Sequence, residues 1–192
     1  MILTRLAFNP RCPRARQALE SSYELHRILS SWYEPEARPR LLFRQLLPYP
    51  RVLLLGRASP DLEADVEEGL LTDAQSKAFA PRVVQGLRLR FQLRANPTKK
   101  ESGKRRGLDC PAEQCRWLER KGLQHGFRVL SAEVVRSDVA KTERPDGRVM
   151  VHLSADFRGG LEVTEPALFG ECLTHGLGSA KAFGFGLMMV SR

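Results

Sequence analysis

The run Tyr23-Glu24-Leu25-His26-Arg27 places a phenol and an imidazole three residues apart. On a helix, residues i and i+3 share a face. An imidazole titrates near neutral pH and can take or give a proton, help typically worth about 10²- to 10⁴-fold in rate. A tyrosine hydroxyl beside it can orient a nucleophile or stabilise a developing charge. His26 adjoins the apolar positions Leu25, Ile28 and Leu29 and is expected at the edge of a core. The same spacing also occurs in a surface tyrosine beside a satisfied core histidine. A second candidate is the C-terminal stretch from Gly176 to Leu187, which holds Gly176, Gly178, Gly184, Gly186 and one lysine, Lys181. Glycine lets main-chain N–H groups approach a ligand closely, and such groups beside a cation cradle phosphate. No Walker sequence is present and no βαβ unit follows. The expectation is a polyanion-gripping loop over 176–182, including Ser179, and a final strand over 183–190.

The basic residues are patterned. Arg88, Arg90 and Arg94 alternate with Leu87, Leu89, Phe91 and Leu93, so they project from one face of a strand whose other face is apolar. Lys99, Lys100, Lys104, Arg105 and Arg106 form a cluster around Ser102-Gly103, read as a flexible basic loop. Arg136, Lys141, Arg144 and Arg148 surround a charged hairpin at 135–149. Any one charge run is often just a solvated face. Three of them, with the glycine–lysine stretch, point to a track for a polyanion. The strand at 87–93 offers only Phe91 as an aromatic, and on its apolar face, so shape and phosphates are favoured over base stacking.

The elements that must position these groups follow from periodicity and breakers. Met1–Phe8 alternates as a strand, and Asn9-Pro10 with Pro13 starts a helix. Ser21 with Glu24 is a capping box, so the helix breaks and restarts there, to be ended by Pro35 and Pro39. Leu41–Leu47 and Arg51–Gly56 are strands joined through Pro48-Tyr49-Pro50. The stretch from Asp61 to Ala80 is polar and ambiguous, with a short helix over Asp61–Gly69. Gly86–Ala95 is a strand; Pro111–Lys121 is a helix with Gly122 past its end. Phe127–Val135 and Val149–Phe157 are strands around Pro145-Asp146-Gly147, Gly160–Val163 is a short strand, and Pro166–His175 is a helix. Each half reads β-α-β-β-α-β. The expected fold class is α+β, two tandem ferredoxin-like (RRM-like) domains over 1–83 and 84–192.

Bulk properties agree. The 192 residues carry 31 Lys and Arg against 22 Asp and Glu, a net charge of +9, which favours nucleic acid or an anionic surface. A hydrophobic fraction of 42% supports a real core. No stretch has the apolar length of a membrane span and no signal-peptide pattern opens the chain, so a cytoplasmic protein is expected. Cys12, Cys110, Cys115 and Cys172 are scattered without zinc-ligand spacing, and are read as reduced, mostly buried thiols.

Taken together, the motifs resemble one family. They are the opening strand ending in Asn9-Pro10, the Tyr23-x-x-His26-Arg27 run, and Leu89-Arg90-Phe91-x-Leu93-Arg94-Ala95-Asn96-Pro97-Thr98-Lys99 with Gly103-Lys104-Arg105. Trp117-Leu118, Gly126-Phe127 and the terminal Gly-x-Gly-x-Ala-Lys-Ala-Phe-Gly-Phe-Gly-Leu complete the set. In that order they are similar to the CasE-type CRISPR RNA-processing endoribonucleases of the RAMP superfamily, subunits of type I-E Cascade complexes. The resemblance implies two tandem ferredoxin-like domains. It implies cleavage at the 3′ base of the repeat stem-loop, without metal or other cofactor, and retention of the mature crRNA beside other Cascade subunits. It implies that His26 transfers a proton, that Tyr23 is its partner, that Lys181 and the loop with Gly176, Gly178 and Ser179 meet RNA, and that the 135–149 hairpin enters the RNA groove. The isolated chain is expected to be a monomer. Rival readings are a non-catalytic hairpin-binding subunit of the same fold, a duplex-DNA binder, and a small-molecule enzyme. The first is disfavoured by Tyr23 and His26, and the others by the missing DNA-binding signatures and by the spread of the charge.

Overall fold

The structure is a computed structural model that describes residues 1–34, 41–46, 50–143 and 147–192. The readings placed on Pro35, Pro39, Leu47, Pro48, Tyr49, Arg144, Pro145 and Asp146 lie outside the described residues. Two compact units divide the chain. One comprises Met1–Ala80 with Thr142–Val149 and Ala182–Gly184; the other comprises Pro81–Lys141, Met150–Lys181 and Phe185–Arg192.

The first unit runs β1 (Ile2–Phe8), α1 (Pro13–Glu20), α2 (Ser22–Ser31), β2 (Leu42–Leu46), β3 (Arg51–Gly56), α3 (Glu63–Glu67) and β4 (Leu71–Ala78). Its sheet order is β2-β3-β1-β4, with β1 antiparallel to both neighbours: Leu6 faces Val52 on one side and Ala74 on the other. Pro13 opens α1, where its missing N–H is no loss. Ser21, in extended backbone, ends α1, and its hydroxyl accepts from the Glu24 N–H at 3.3 Å to start α2. Leu25, Ile28 and Leu29 of α2, and Trp32 just past its end, pack with Leu6, Phe8, Phe43, Val52 and Leu54 into one core.

The second unit runs β5 (Arg88–Ala95), β6 (Thr98–Glu101), β7 (Lys104–Gly107), α4 (Pro111–Gln124), β8 (Phe127–Glu143), β9 (Val149–Val163), α5 (Pro166–His175) and β10 (Met188–Ser191). The sheet order is β10-β5-β9-β8, the same arrangement of first, second, third and fourth strands as in the first unit. Both are therefore β-α-β-β-α-β sheets of ferredoxin-like order, with β6 and β7 as an inserted hairpin. Leu89, Phe91 and Leu93 of β5 face the core with Phe157, Leu161, Trp117 and Leu118, while Arg88 and Arg90 are exposed. Trp117 stacks on Phe157 at 6.3 Å between ring centroids, and Phe127 meets Phe169 edge-on at 5.5 Å.

The structure corrects or sharpens several local expectations. The basic stretch at 99–106 is a hairpin, closed at Ser102 (φ 48°) and Gly103 (φ 80°), whose positive φ angles suit a tight turn. Helix α4 does not stop before Gly122: that glycine is inside it because a Cβ there would lie 2.7 Å from the Phe127 carbonyl oxygen. The short helix expected over Asp61–Gly69 is present as α3, and the ambiguous polar stretch after it forms β4. Strand β9 is continuous through Gly159 and Gly160. The last strand spans only Met188–Ser191, since Lys181–Phe183 forms one turn of 3-10 helix and Gly184 and Gly186 take φ of 83° and 93°. The thiols are free but not mostly buried as expected: Cys172 is buried, Cys12 and Cys115 are half-buried, and Cys110 is exposed, because it caps α4 at the surface.

Gly159 shows why glycine holds a central strand. A Cβ there would lie 2.0 Å from the Ser131 carbonyl oxygen, a backbone atom that cannot swing away. Gly159→Ala is expected to destabilise by about 2–3 kcal/mol or more. Gly170→Ala, in α5 with open space around it, should instead be neutral or stabilise by up to about 1 kcal/mol. Thermal unfolding of the two variants checks the contrast.

Candidate active site and basic surface

Helix α2 turns Leu25, Ile28 and Leu29 inward, which leaves Tyr23 and His26 half-exposed at the border of the core. The His26 ring lies 6.2 Å from the ring of Phe43 on β2, tilted by 45°. Phe43 is itself buried, and a Cβ added at Gly184 would come within 3.1 Å of its ring. Phe43 thus fixes both the His26 environment and the close passage of the Ala182–Gly184 segment, which belongs to the same unit. Burial lowers the His26 pKa below its ordinary 6.5, which favours the uncharged ring at neutral pH. Arg27 is exposed and points both Nε and Nη2 at one oxygen of Glu24, at 2.9 and 2.7 Å. Such an exposed pair is worth little, and a phosphate can compete for the guanidinium.

In the second unit Gly176 (φ 75°) closes α5, and Lys181 Nζ donates to the His175 carbonyl at 2.6 Å. The glycines of this stretch have packing reasons to be there. A Cβ at Gly178 would press on Trp117 at 3.2 Å, and one at Gly186 would strike the Leu177 carbonyl oxygen at 2.7 Å. The loop is closed by Leu177 N–H to Gly186 O (2.9 Å) and Gly186 N–H to Arg94 O (2.8 Å). Ser179 is half-exposed, and its Oγ lies 3.5 Å from Asn96 Nδ2.

The basic residues are placed as follows. Arg88 pairs with Glu162 at 3.1 Å, a carboxylate also held by Arg128. Arg90 is exposed and lines a shallow hollow of about 850 Å³ together with Gln92, Arg158 and Gly159. The Arg94 guanidinium lies over the Phe185 ring, 5.8 Å from its centroid. Lys99 sits 3.7 Å from Glu101, while Lys104 and Arg105 are exposed on β7. Arg136 pairs with Asp138, Lys141 is exposed on β8, and Arg148 is exposed before β9. Among the described residues, no group of three His, Cys, Asp or Glu is arranged to hold a metal ion. Sequence reasoning missed Phe43, which sits 17 positions from His26 with no local signal to join them. It also gave no role to Asn96, although Asn96-Pro97 stood inside a quoted motif.

Burial lowers the pKa of three histidines, His26, His125 and His152; for His125 the neighbouring Lys121 and Lys181 charges add to it and Glu171 opposes. Below about 6.5 the unfolded chain takes up protons that these folded rings resist. Stability should therefore be full above pH 6.5 and fall as the pH drops below it, until the folded rings have titrated. Thermal midpoints at pH 7.5 and 5.5 check this, and His26→Gln should make the loss smaller.

Two ferredoxin-like units, one bearing the Tyr23–His26 helix and the other a face rich in arginine, define a tandem ferredoxin-like protein suited to a polyanion. The chain belongs to the CRISPR-associated protein family, whose model matches residues 1–192, and it is of the Cse3, or CasE, type. The CRISPR-associated endoribonuclease Cse3 of Thermus thermophilus is 36% identical over 211 residues, with all of both chains covered. A solved structure of CRISPR endoribonuclease Cse3 bound to a 19 nt RNA matches with a TM-score of 0.91 and 35% identity, again over all of both chains. Thermus thermophilus Cse3 bound to an RNA representing a pre-cleavage complex matches with a TM-score of 0.90 and 35% identity, over 100% of this chain and 98% of that one.

Proposed function

We propose that this chain is a CRISPR endoribonuclease that cuts the precursor transcript at the 3′ base of each repeat stem-loop, without a metal, and keeps the mature crRNA as a subunit of Cascade in the cytoplasm. The observation that carries the reading is the half-buried His26 beside Tyr23 on α2, in a chain that matches Cse3 from end to end. RNA brings its own nucleophile, the 2′-hydroxyl. Cutting then needs that oxygen aligned with the phosphate, a base to take its proton, an acid for the leaving 5′-oxygen and positive charge for the phosphorane. His26, with a ring nitrogen to offer in its uncharged form, takes the proton of the 2′-hydroxyl, and solvent water gives a proton to the leaving 5′-oxygen. Tyr23 orients that oxygen. Lys181, which stands one residue before Ala182–Gly184, or Arg27 supplies the charge. Arg88, Arg90, Arg94, Lys99, Lys104, Arg105, Arg136, Lys141, Arg144 and Arg148 bind the backbone, with Gly176, Gly178 and Ser179 at the loop.

The test is the purified chain with its repeat hairpin RNA in excess EDTA. Cutting at the stem base that leaves a 2′,3′-cyclic phosphate and a 5′-hydroxyl is expected. Cutting that stops in EDTA and returns with a divalent ion would remove the metal-free chemistry. Tight binding without cutting would make the chain a structural RNA-binding subunit.

A further inference from the structure

The stretch from Arg94 to Asn96 grips the glycine-rich loop twice. The Arg94 carbonyl accepts from the Gly186 N–H on the outgoing limb. The Asn96 side chain reaches the incoming limb, with Nδ2 3.5 Å from Ser179 Oγ. We propose that Asn96 is a positioning residue for the cleavage reaction, one that holds the loop at Ser179 so that Lys181 is aimed; the inference rests on the role given to Lys181 above.

Two features support it. The first is Ala180, which lies between Ser179 and Lys181 with φ of 60°. A residue with a Cβ is strained in this region, and it stays there only where its surroundings hold it. Its flanks are held: Ser179 is in reach of Asn96, and Lys181 Nζ donates to the His175 carbonyl. A two-residue offset in this turn would send the lysine elsewhere. The second is the cost of keeping an asparagine here. Asn96 is only 6% exposed, and its Oδ1 is buried with no hydrogen-bond partner. An apolar side chain of similar size would avoid that penalty, so stability alone does not account for the amide. What the amide adds is its Nδ2 group, which also lies 3.4 Å from His152 Nδ1. The His152 ring in turn meets Phe185 edge-on at 6.0 Å, on the loop's outgoing limb. The polar link thus ties β5, β9 and both limbs of the loop into one set, all within the second unit.

The experiment is a double-mutant cycle in the full chain, with Asn96→Leu, Lys181→Ala and the pair, read by single-turnover cleavage of the repeat hairpin, RNA affinity and thermal midpoint. Misplacing a group by about 1 Å costs up to roughly 100-fold in rate. Asn96→Leu should therefore slow cleavage by roughly 10- to 100-fold, leave affinity within about twofold, and leave the midpoint unchanged or raised. In the Lys181→Ala background it should slow cleavage no further, because there is nothing left to aim. Ser179→Ala, which removes the other end of the contact without touching a buried group, should show the same dependence on Lys181 when read at saturating protein, where a weakened RNA contact does not enter the rate. A wild-type rate in Asn96→Leu overturns the proposal, as does an equal loss with and without Lys181. Cleavage at the full rate in Lys181→Ala alone would instead overturn the role of Lys181, and the positioning role with it.

Discussion

A repeat hairpin that lacks one oxygen, the 2′-hydroxyl just upstream of the cut bond, should bind this protein normally and not be cut at all. The two effects are separated by their magnitudes. Losing one hydroxyl removes at most about one hydrogen bond, worth 0.5–1.5 kcal/mol, so affinity should change by less than about tenfold. The same hydroxyl is the proposed nucleophile, and a well-aligned intramolecular group carries an effective molarity of about 10⁵–10⁸ M. No side chain near His26 is offered as a substitute: Tyr23 and Arg27 are assigned to orientation and charge. Single-turnover cleavage at saturating protein, with affinity measured on the same RNA, checks the split. Cutting of the deoxy substrate would mean that water or a protein group attacks, and the transesterification would fall.

The fold was legible wherever a local rule had no competitor. Ser21 and Glu24 carry the break between α1 and α2 on their own, and the observed cap at 3.3 Å is the bond their spacing implies. The alternation of β5 could be read because one of its faces is fully buried. Legibility failed where tertiary contact sets the outcome. Gly122 looked like a helix stop, yet its place is dictated by Phe127, which packs against that turn from the next strand. Gly159 and Gly160 looked like a break, but they let β8 come close to β9. The strand expected at 183–190 has the right alternation, but Gly184 must pass Phe43 and Gly186 must pass Leu177. The candidate site divides in the same way. Tyr23 and His26 are one helical turn apart, so spacing alone proposed them. Phe43, which lowers the histidine's exposure, and Asn96, which reaches a loop 83 positions away, are joined to the site only by the folded chain.

His26→Ala should cost about 10²- to 10⁴-fold in single-turnover cleavage, with RNA affinity unchanged. The ring's environment decides the accompanying pH profile. Burial beside Phe43 pushes its pKa below 6.5, and the nearby Arg27 charge is engaged by Glu24. Neutral imidazole is the form that takes a proton. The wild-type rate at subsaturating RNA, which reports the free protein, should therefore rise with pH through a value below 6.5 and be flat above neutrality, and this acid limb should be missing in His26→Ala. Tyr23→Phe should lower the plateau and keep the limb, since it removes the orienting hydroxyl and leaves the titrating ring. Phe43→Leu gives the sharper test, because it opens the ring to water without removing it. Its limb should move up toward 6.5 while most of the plateau rate remains. A profile that falls as pH rises would reverse the assignment and make His26 the acid for the leaving 5′-oxygen. An unchanged rate in His26→Ala would take the imidazole out of the chemistry and leave Tyr23 and Lys181 to be tested as the groups that act on the phosphate.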